Sequence, residues 1–359
     1  MKKTILFLVF VMLGCLFLSG CKETGADYDV EKYPIKDKED ATPQPVEEEI
    51  FLWLAYWNYT GYEEELACFS DENKAVSVFS VLFDQDGDEP FFTPETEQLL
   101  QKVMNEKKAD EKVYLSFVND LRLADGSYSN KDVELLARLF AEETDRQEHV
   151  REIVDMAVSG KVDGIEIDYE NIKKDETLWE PFCLFLELLK EKCNEKGLLL
   201  RVVLGAYDVN KAEFPEGIEY AVMCYNLYGT HSGPGPKADV TFLKETFERC
   251  KNLPGGVSAA FSTGGFVWAG EKCEKAITEL EAKELYVSLG EDAGELLRDE
   301  ASGALHFTYE QDGVVKEVWY ADGETLSLWK KTARECGITK FSLWKASGNS
   351  KSSLADFAR

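Results

Sequence analysis

The sequence predicts a (β/α)8 TIM barrel with a small β-hairpin inserted between its seventh and eighth strands. From Ile50 onwards, short apolar, β-branched or aromatic segments alternate with longer amphipathic ones, which indicates a parallel sheet. Eight such segments fit a closed barrel better than an open doubly wound sheet. The open sheet would also need a glycine-rich phosphate loop after its first strand, and Trp57-Asn58-Tyr59-Thr60-Gly61 contains no such motif.

The first 20 residues predict the signal peptide of a bacterial lipoprotein. Lys2 and Lys3 precede an apolar segment at residues 4–17, and Leu18-Ser19-Gly20-Cys21 resembles a lipobox. That resemblance implies cleavage before Cys21, lipidation of Cys21, and anchoring at the extracellular face of the cell membrane. An ordinary secretory signal that ends near a cysteine is the alternative.

Residues 21–49 predict an acidic, proline-containing linker, and residues 50–359 predict the barrel. The linker contains Pro34, Pro43 and Pro45 and few apolar residues. Such a segment cannot bury enough surface to fold by itself, so we expect it to act as a tether.

The barrel strands follow from apolar runs, and the helices follow from capping residues and three-to-four spacing. We predict strands at Phe51–Asn58, Ala75–Phe83, Lys112–Val118, Val162–Tyr169, Leu198–Leu204, Glu219–Asn226, Gly256–Ser262 and Ile338–Trp344. Helices are expected to start at Thr93-Pro94 and near Ser129–Asp132, and to occupy Leu178–Lys196 and Thr325–Cys336. The inserted hairpin pairs Ala304–Glu310 with Val314–Ala321 around Asp312-Gly313.

The composition argues against several classes of ligand. The chain has 68 acidic and 40 basic residues, for a formal charge of -28. A surface this acidic repels phosphate backbones and anionic lipid headgroups, so we expect no nucleic acid partner and no membrane contact beyond the lipid anchor. Three scattered histidines and nine cysteines without a C-x-x-C pair predict no metal site and no cofactor.

The most informative segment is the acidic run at residues 163–170. Side chains alternate between the two faces of a strand. Ile165, Ile167 and Tyr169 would therefore face the helices, while Glu166, Asp168 and Glu170 would face the barrel interior. Burying like charges is costly, and no basic residue lies within the segment to offset them. Acids at the carboxyl end of a barrel strand favour catalysis, and a calcium site is the alternative.

This segment resembles the D-G-x-D-x-D-x-E signature of family 18 glycoside hydrolases. Met223-Cys224-Tyr225-Asn226 is similar to that family's M-x-Y-D motif, and Trp344 ends the last strand, where the family places a tryptophan. Residues 146–172, Asn119 and Trp319-Tyr320 resemble most closely the branch of spore-cortex-lytic and cell-wall glucosaminidases.

The resemblance implies a retaining glycosidase that cleaves β-linked N-acetylglucosamine glycans through an oxazolinium intermediate. Glu170 would be the acid and base, Asp168 would hold the acetamide N–H, Tyr225 would orient the acetamide oxygen, and Glu166 would raise the pKa of Glu170. The implied substrate-binding residues are Trp344, Asn226, Met223, Asn119, Tyr320 and Trp57.

Departures from the family pattern leave Glu170, Asp168 and Tyr225 in place, so we expect an active enzyme. Glu166 and Asn226 stand where the family usually has aspartate. An N-acetylhexosamine-binding, lectin-like lipoprotein with little or no turnover is therefore the alternative function. Peptidoglycan, chitin-type oligomers and the N-glycan core all remain candidate substrates, endo and exo action are not distinguished, and a monomer is expected.

Overall fold

The computed structural model describes residues 48–69, 74–85 and 88–359. The predicted signal peptide, Cys21 and residues 21–47 of the predicted linker lie outside the described residues. Within the described part, none of the helices combines the length and the apolar character that crossing a membrane requires.

Eight parallel strands close into a barrel, as the sequence predicts. Each strand pairs with its neighbours in chain order, and the eighth pairs with the first. The strands are Glu49–Ala55, Lys74–Asp84, Lys112–Arg122, Gly164–Asp168, Leu199–Gly205, Glu219–Met223, Val257–Ser262 and Lys340–Trp344. We number them one to eight as barrel strands.

Helices connect most of the barrel strands. They are Tyr62–Leu66, Pro94–Glu106, Val133–Leu139, Glu143–Gly160, Trp179–Lys196, Val240–Arg249, Glu279–Leu289, Gly323–Glu335 and Lys351–Phe357. Thr93 caps its helix by accepting the Thr96 N–H, as the Thr-Pro start predicts. The connection between the fifth and sixth barrel strands, at residues 206–218, is made of turns without a helix.

Two apolar layers hold the barrel together, and they follow from the alternation along each strand. On the first barrel strand, Leu52 and Leu54 face outward into the large core between strands and helices. Phe51 and Trp53 face inward and belong to a smaller cluster that fills the interior. Because that filling closes the barrel below, an open cavity can form only at its mouth.

The insertion between the seventh and eighth barrel strands is larger than the predicted hairpin. The hairpin is present as Leu305–Gln311 and Val314–Ala321, with Asp312 and Gly313 at positive φ in the turn. It belongs to a five-stranded antiparallel sheet that also contains Gly264–Ala269, Lys272–Ile277 and Leu297–Arg298. The sequence does not reveal Lys272–Ile277, because this edge strand is mostly polar and exposed.

The folded barrel begins before the predicted boundary at residue 50. Glu49 is the first residue of the first barrel strand, and the Glu48 carboxylate accepts from Arg334 and lies 2.7 Å from the Lys330 ammonium. Glu48 and Glu49 therefore attach to the barrel, although the sequence pattern assigns them to the linker.

Shortening a side chain on the outward face of the fourth barrel strand tests the packing between the barrel strands and the helices. Ile167 is fully buried, so Ile167→Ala is expected to lower the free energy of unfolding by about 2–5 kcal/mol. Chemical denaturation followed by circular dichroism measures the loss. Leu184→Ala is the control, because Leu184 is 47% exposed and its loss should stay within about 0.5 kcal/mol. Equal losses in the two variants would contradict the packing described.

Candidate active site

The fourth barrel strand has the predicted alternation. Ile165 and Ile167 are fully buried in the outer core. Tyr169 lies in the same core, where its hydroxyl is 2.8 Å from the His149 Nε2. The opposite parity directs Glu166 and Asp168 into the barrel, and Glu170 follows just beyond the last strand residue. The predicted parity of the acidic row is therefore confirmed.

A cavity of about 420 Å3 opens at the carboxyl ends of the barrel strands. Its walls come from loops and strand ends that are far apart in the sequence. They are Trp53, Tyr56, Trp57, Phe79, Ser80, Asp120, Asn130, Lys131, Asp168, Glu170, Val203, Met223, Tyr225, Asn226 and Trp344. Seven of the ten predicted site residues meet there: Trp57, Asp168, Glu170, Met223, Tyr225, Asn226 and Trp344.

Asp168 lines this cavity and has an unused hydrogen-bond acceptor. Its side chain is 6% exposed, and its Oδ1 has no partner among the described residues. Burial raises the pKa of Asp168 well above the usual carboxyl range; Lys131 opposes this shift, and Glu170 and Glu166 add to it. A buried acceptor that faces a cavity is suited to an N–H group of a ligand.

Glu170 is held by its main chain, which leaves the carboxylate at the cavity wall. Asn119 Oδ1 accepts the Glu170 N–H at 2.9 Å, and Asn119 Nδ2 donates to the Glu170 carbonyl at 3.1 Å. The Asn119 amide also donates to the Asp132 carbonyl. This clamp fixes the residue that the sequence predicts as the acid.

Lys131 neutralises part of the acidic row. Its Nζ lies 3.0 Å from Glu170 Oε1, 4.0 Å from Asp168 Oδ2 and 3.9 Å from Asp120 Oδ1. These carboxylates raise the pKa of Lys131 against the effect of burial. Lys131 also has a positive φ of 55°, and its N–H donates to Asp120 Oδ1, so the turn after the third barrel strand aims the ammonium at Glu170.

The end of the sixth barrel strand supplies the facing wall. Tyr225 follows that strand, and burial raises the pKa of its phenol well above the usual value, with Asp168 and Glu170 contributing. The phenol therefore stays protonated and can donate a hydrogen bond. Asn226 takes a positive φ of 61°, which turns the chain away immediately after the tyrosine.

Aromatic rings form one side of the cavity. Trp344 lies edge-on to Phe79, with ring centroids 4.9 Å apart, and Trp53 lies 5.9 Å from Trp344. Trp57 is 54% exposed and sits 6.3 Å from Trp344. Flat apolar rings beside carboxylates are the surfaces on which the C–H faces of sugars pack.

Glu166 does not reach the cavity, although the sequence predicts it as a catalytic residue. It is fully buried, accepts from Trp53 Nε1 at 2.6 Å, and pairs with the Arg201 guanidinium. The longer glutamate side chain places its carboxylate within reach of Arg201 on the adjacent fifth barrel strand, at the paired position. Its charge still contributes to the raised pKa of Asp168.

Arg201 is the centre of a buried polar layer beneath the site. Its Nε donates to Glu219 Oε1 at 2.9 Å, and its Nη2 donates to the hydroxyls of Ser258 and Ser342. The guanidinium also lies 3.6 Å from the Phe51 ring centroid. This layer supports the cavity floor from below.

Two predicted substrate-binding residues lie elsewhere. Asn119 is fully buried, and its amide is used to hold the chain at Glu170 and Asp132, which makes it a positioning residue. Tyr320 is buried in the apolar core of the insertion and does not line the cavity. The periodicity of Val314–Ala321 places Tyr320 on the buried face of that strand.

Three charged residues of the site are missed by the sequence reasoning. Asp120 directly follows Asn119, so the end of the third barrel strand could have suggested it. Arg201 is a lone basic residue in an otherwise apolar strand, Leu199–Gly205, which is a signal of a buried ion pair. Lys131 carries no recognisable signal, because only the folded turn brings it to Glu170.

The comparisons with known proteins agree with this fold. No protein-family model matches the chain, and no curated protein matches it. Among solved structures, a chitinase from Chromobacterium violaceum superposes with a TM-score of 0.71 at 17% identity, over 87% of this chain and 98% of that one. The spore cortex-lytic enzyme SleL of Bacillus cereus gives 0.71 at 18% identity, over 87% and 74%.

A plant structure extends the comparison. A class V chitinase mutant from Nicotiana tobaccum in complex with NAG4 gives a TM-score of 0.70 at 11% identity, over 87% of this chain and 98% of that one. These likenesses confirm the predicted TIM barrel. At such identities they establish the fold, and the chemistry must be argued from the residues in the cavity.

Removing Arg201 tests the buried layer. Arg201→Met leaves Glu166 buried without its cationic partner, so we expect the free energy of unfolding to fall by about 3–5 kcal/mol at neutral pH. Adding Glu166→Leu removes the stranded charge and should recover part of the loss. Urea denaturation of both variants measures the two effects.

Arg122→Met is the control for this experiment. Arg122 pairs with Asp84, and its side chain is 41% exposed, so its loss should cost less than about 1 kcal/mol. If Arg201→Met lowers the free energy of unfolding by no more than Arg122→Met does, Arg201 does not stabilise the buried layer as described.

Proposed function

We propose that the chain is a retaining glycoside hydrolase of the chitinase type that cleaves β-linked N-acetylglucosamine glycans. The observation that carries this proposal is the joint placement of Asp168, Glu170 and Tyr225 in one cavity beside Trp344. Such a cavity offers an acid, an acetamide acceptor, a phenol donor and a flat apolar surface to one sugar residue.

The first step breaks the glycosidic bond. Glu170, protonated, gives its proton to the glycosidic oxygen as the bond from the anomeric carbon to that oxygen breaks. The acetamide oxygen of the same sugar attacks the anomeric carbon and forms a cyclic oxazolinium ion. Asp168 Oδ1, which lacks a protein partner, accepts the acetamide N–H and stabilises the positive charge. Tyr225 donates to the acetamide oxygen and holds it in line.

The second step returns the enzyme to its starting state. The leaving alcohol departs, and the Glu170 carboxylate takes a proton from a water molecule that attacks the anomeric carbon. The oxazolinium ring opens, and the product keeps the β configuration because two displacements have occurred. No second carboxylate acts as a nucleophile, in agreement with Glu166 being buried against Arg201.

The Lys131–Glu170 contact supports a second candidate function. The Lys131 ammonium lies 3.0 Å from one Glu170 oxygen, and an acid catalyst must open this contact to protonate a substrate. A protein that only binds N-acetylhexosamine glycans could keep the contact closed. We favour the enzyme because Glu170, Asp168 and Tyr225 are all in place.

The solved structures support the substrate class. Two of the similar proteins are named as a chitinase and a spore cortex-lytic enzyme, and a third is in complex with NAG4. Because all three share the barrel, we propose that the cavity takes glycans that contain N-acetylglucosamine. Chitin-type oligomers, peptidoglycan and the N-glycan core stay open as the natural source.

We also propose that the protein acts as a monomer, anchored by lipid at Cys21 on the extracellular face of the bacterial membrane. The lipid anchor is supported by the lipobox-like sequence Leu18-Ser19-Gly20-Cys21 and by the acidic linker. Metabolic labelling with a palmitate analogue in a bacterial host, with and without Cys21→Ala, would test the anchor.

Replacing the acid tests the proposed activity. Glu170→Gln keeps the shape of the side chain but cannot donate the carboxylic proton, so turnover of a chromogenic chitooligosaccharide should fall at least about a hundredfold. Binding of the uncleaved oligosaccharide, followed by calorimetry, should persist. Both measurements are made on the same purified protein.

Glu176→Gln is the matched control, since Glu176 lies on the same loop and its side chain is 69% exposed in a surface pair with Lys211. Its rate should stay within about twofold of the wild type. A wild-type protein that binds the oligosaccharide without forming product would favour the lectin-like alternative.

A further inference from the structure

A second cavity continues the active-site cleft on the far side of Trp344. Its volume is about 230 Å3, and it shares Trp57 and Trp344 with the first cavity. The remaining walls come from the loops after the first and sixth barrel strands, from the ends of the seventh and eighth, and from the start of the insertion. They are Asn58, Lys237, Ser262, Thr263, Gly265, Ala276, Ile277, Thr278, Glu281, Lys345 and Ser347.

Two lysines lie in this second cavity without a carboxylate partner. Lys237 Nζ donates to Ser262 Oγ and to the Thr263 carbonyl, both at 2.7 Å. Lys345 Nζ lies 3.4 Å from the Asn58 and Ala346 carbonyls. Within the part of the chain that the structure describes, neither ammonium forms an ion pair. This is unusual in a chain with a formal charge of -28, where carboxylates are abundant.

The two ammonium groups also repel each other. Burial and, to a smaller extent, the nearby Lys345 together lower the pKa of Lys237 to about 7. Burial likewise lowers the pKa of Lys345, which Glu65 and Glu281 oppose. Two lysines that form no ion pair within the described residues favour an anion over a neutral group as the ligand of this cavity.

Glu281 offsets only part of this charge. Its Oε2 accepts the Thr278 N–H at 2.7 Å in the capping box of the helix Glu279–Leu289. The cavity therefore contains two ammonium groups and one carboxylate, and that carboxylate is already engaged by the main chain. The acceptors on Lys237 are neutral oxygens, which leaves its third N–H free for a ligand.

Lys237 is held at a fixed distance from the catalytic wall. Its carbonyl accepts the Leu227 N–H at 2.7 Å, one residue beyond Asn226. Lys345 directly follows Trp344 in the sequence. Lys237 is thus linked to the residue after Asn226, Lys345 adjoins Trp344, and the two cavities share Trp57 and Trp344.

We propose that this second cavity is a subsite for a carboxylate-bearing sugar, and that Lys237 and Lys345 bind the carboxylate. The proposal rests on the proposed function, because the sugar would belong to the same glycan that is cleaved in the first cavity. A sugar with a lactyl ether, as in the glycan strands of peptidoglycan, has the required group. A neutral N-acetylglucosamine oligomer does not.

A pair of glycans of equal length tests the subsite. One is an N-acetylglucosamine tetrasaccharide, and the other is a peptidoglycan tetrasaccharide with free lactyl carboxylates; its methyl ester serves as the uncharged analogue. We expect kcat/KM for the free carboxylate to exceed that for the ester by about tenfold or more. The Glu170→Gln variant should likewise bind the free carboxylate more tightly than its methyl ester, as judged by the dissociation constants.

Three variants assign the preference to the lysines. Lys237→Gln and Lys345→Gln should each reduce the ratio of carboxylate to ester towards one. Lys272→Gln removes the same charge from an exposed position on the insertion and should keep the wild-type ratio. Thermal unfolding checks that each variant folds. If Lys237→Gln does not fold, the ratio measured for Lys345→Gln tests the proposal.

The outcomes separate this subsite from the proposed function. Equal hydrolysis of the free carboxylate and the ester by the wild type overturns the subsite and leaves the glycosidase intact. A preference that both lysine variants retain also overturns it. A protein that hydrolyses none of the glycans but binds the free carboxylate more tightly supports the subsite and contradicts the proposed activity.

Discussion

The site depends on one constraint: a strand in a closed barrel must direct every second side chain into the interior. On the fourth barrel strand, that constraint brings Glu166 and Asp168 to the same side, and Glu170 follows just beyond the strand. Three carboxylates in so little water would repel one another strongly. The chain offsets this repulsion with a cation at each end of the row, Arg201 below and Lys131 above.

This arrangement gives the three acids different tasks. Glu166 is paired with Arg201 and Trp53 and belongs to the support of the barrel. Asp168 lies between the two cations without a hydrogen bond to Oδ1, which suits an acceptor for a ligand. Glu170 lines the cavity, where the Lys131 ammonium contacts its carboxylate and the Asn119 amide holds its main chain. Within this one row, Glu166 therefore stabilises the barrel, while Asp168 and Glu170 are available to a ligand in the cavity.

The sequence predicts the features that local periodicity determines. The alternation of Ile165 and Ile167 with the acids identifies the strand, its two faces and the acidic row. It could not identify Lys131 or Arg201 as partners of that row, because both reach it from other strands or turns. For the same reason the sequence predicts Asn119 as a substrate-binding residue, although its amide holds the main chain of Glu170. The edge strand Lys272–Ile277 is missed because it has no apolar pattern.

The central claim is that the acetamido group of the substrate acts as the nucleophile while Glu170 supplies the proton. Aryl chitobiosides in which the reacting sugar carries an N-acetyl, N-fluoroacetyl or N-trifluoroacetyl group test it directly, since fluorine weakens the nucleophilic oxygen step by step. The account predicts that kcat/KM falls steeply along the series, by orders of magnitude in total. A rate that does not change with fluorination would contradict it.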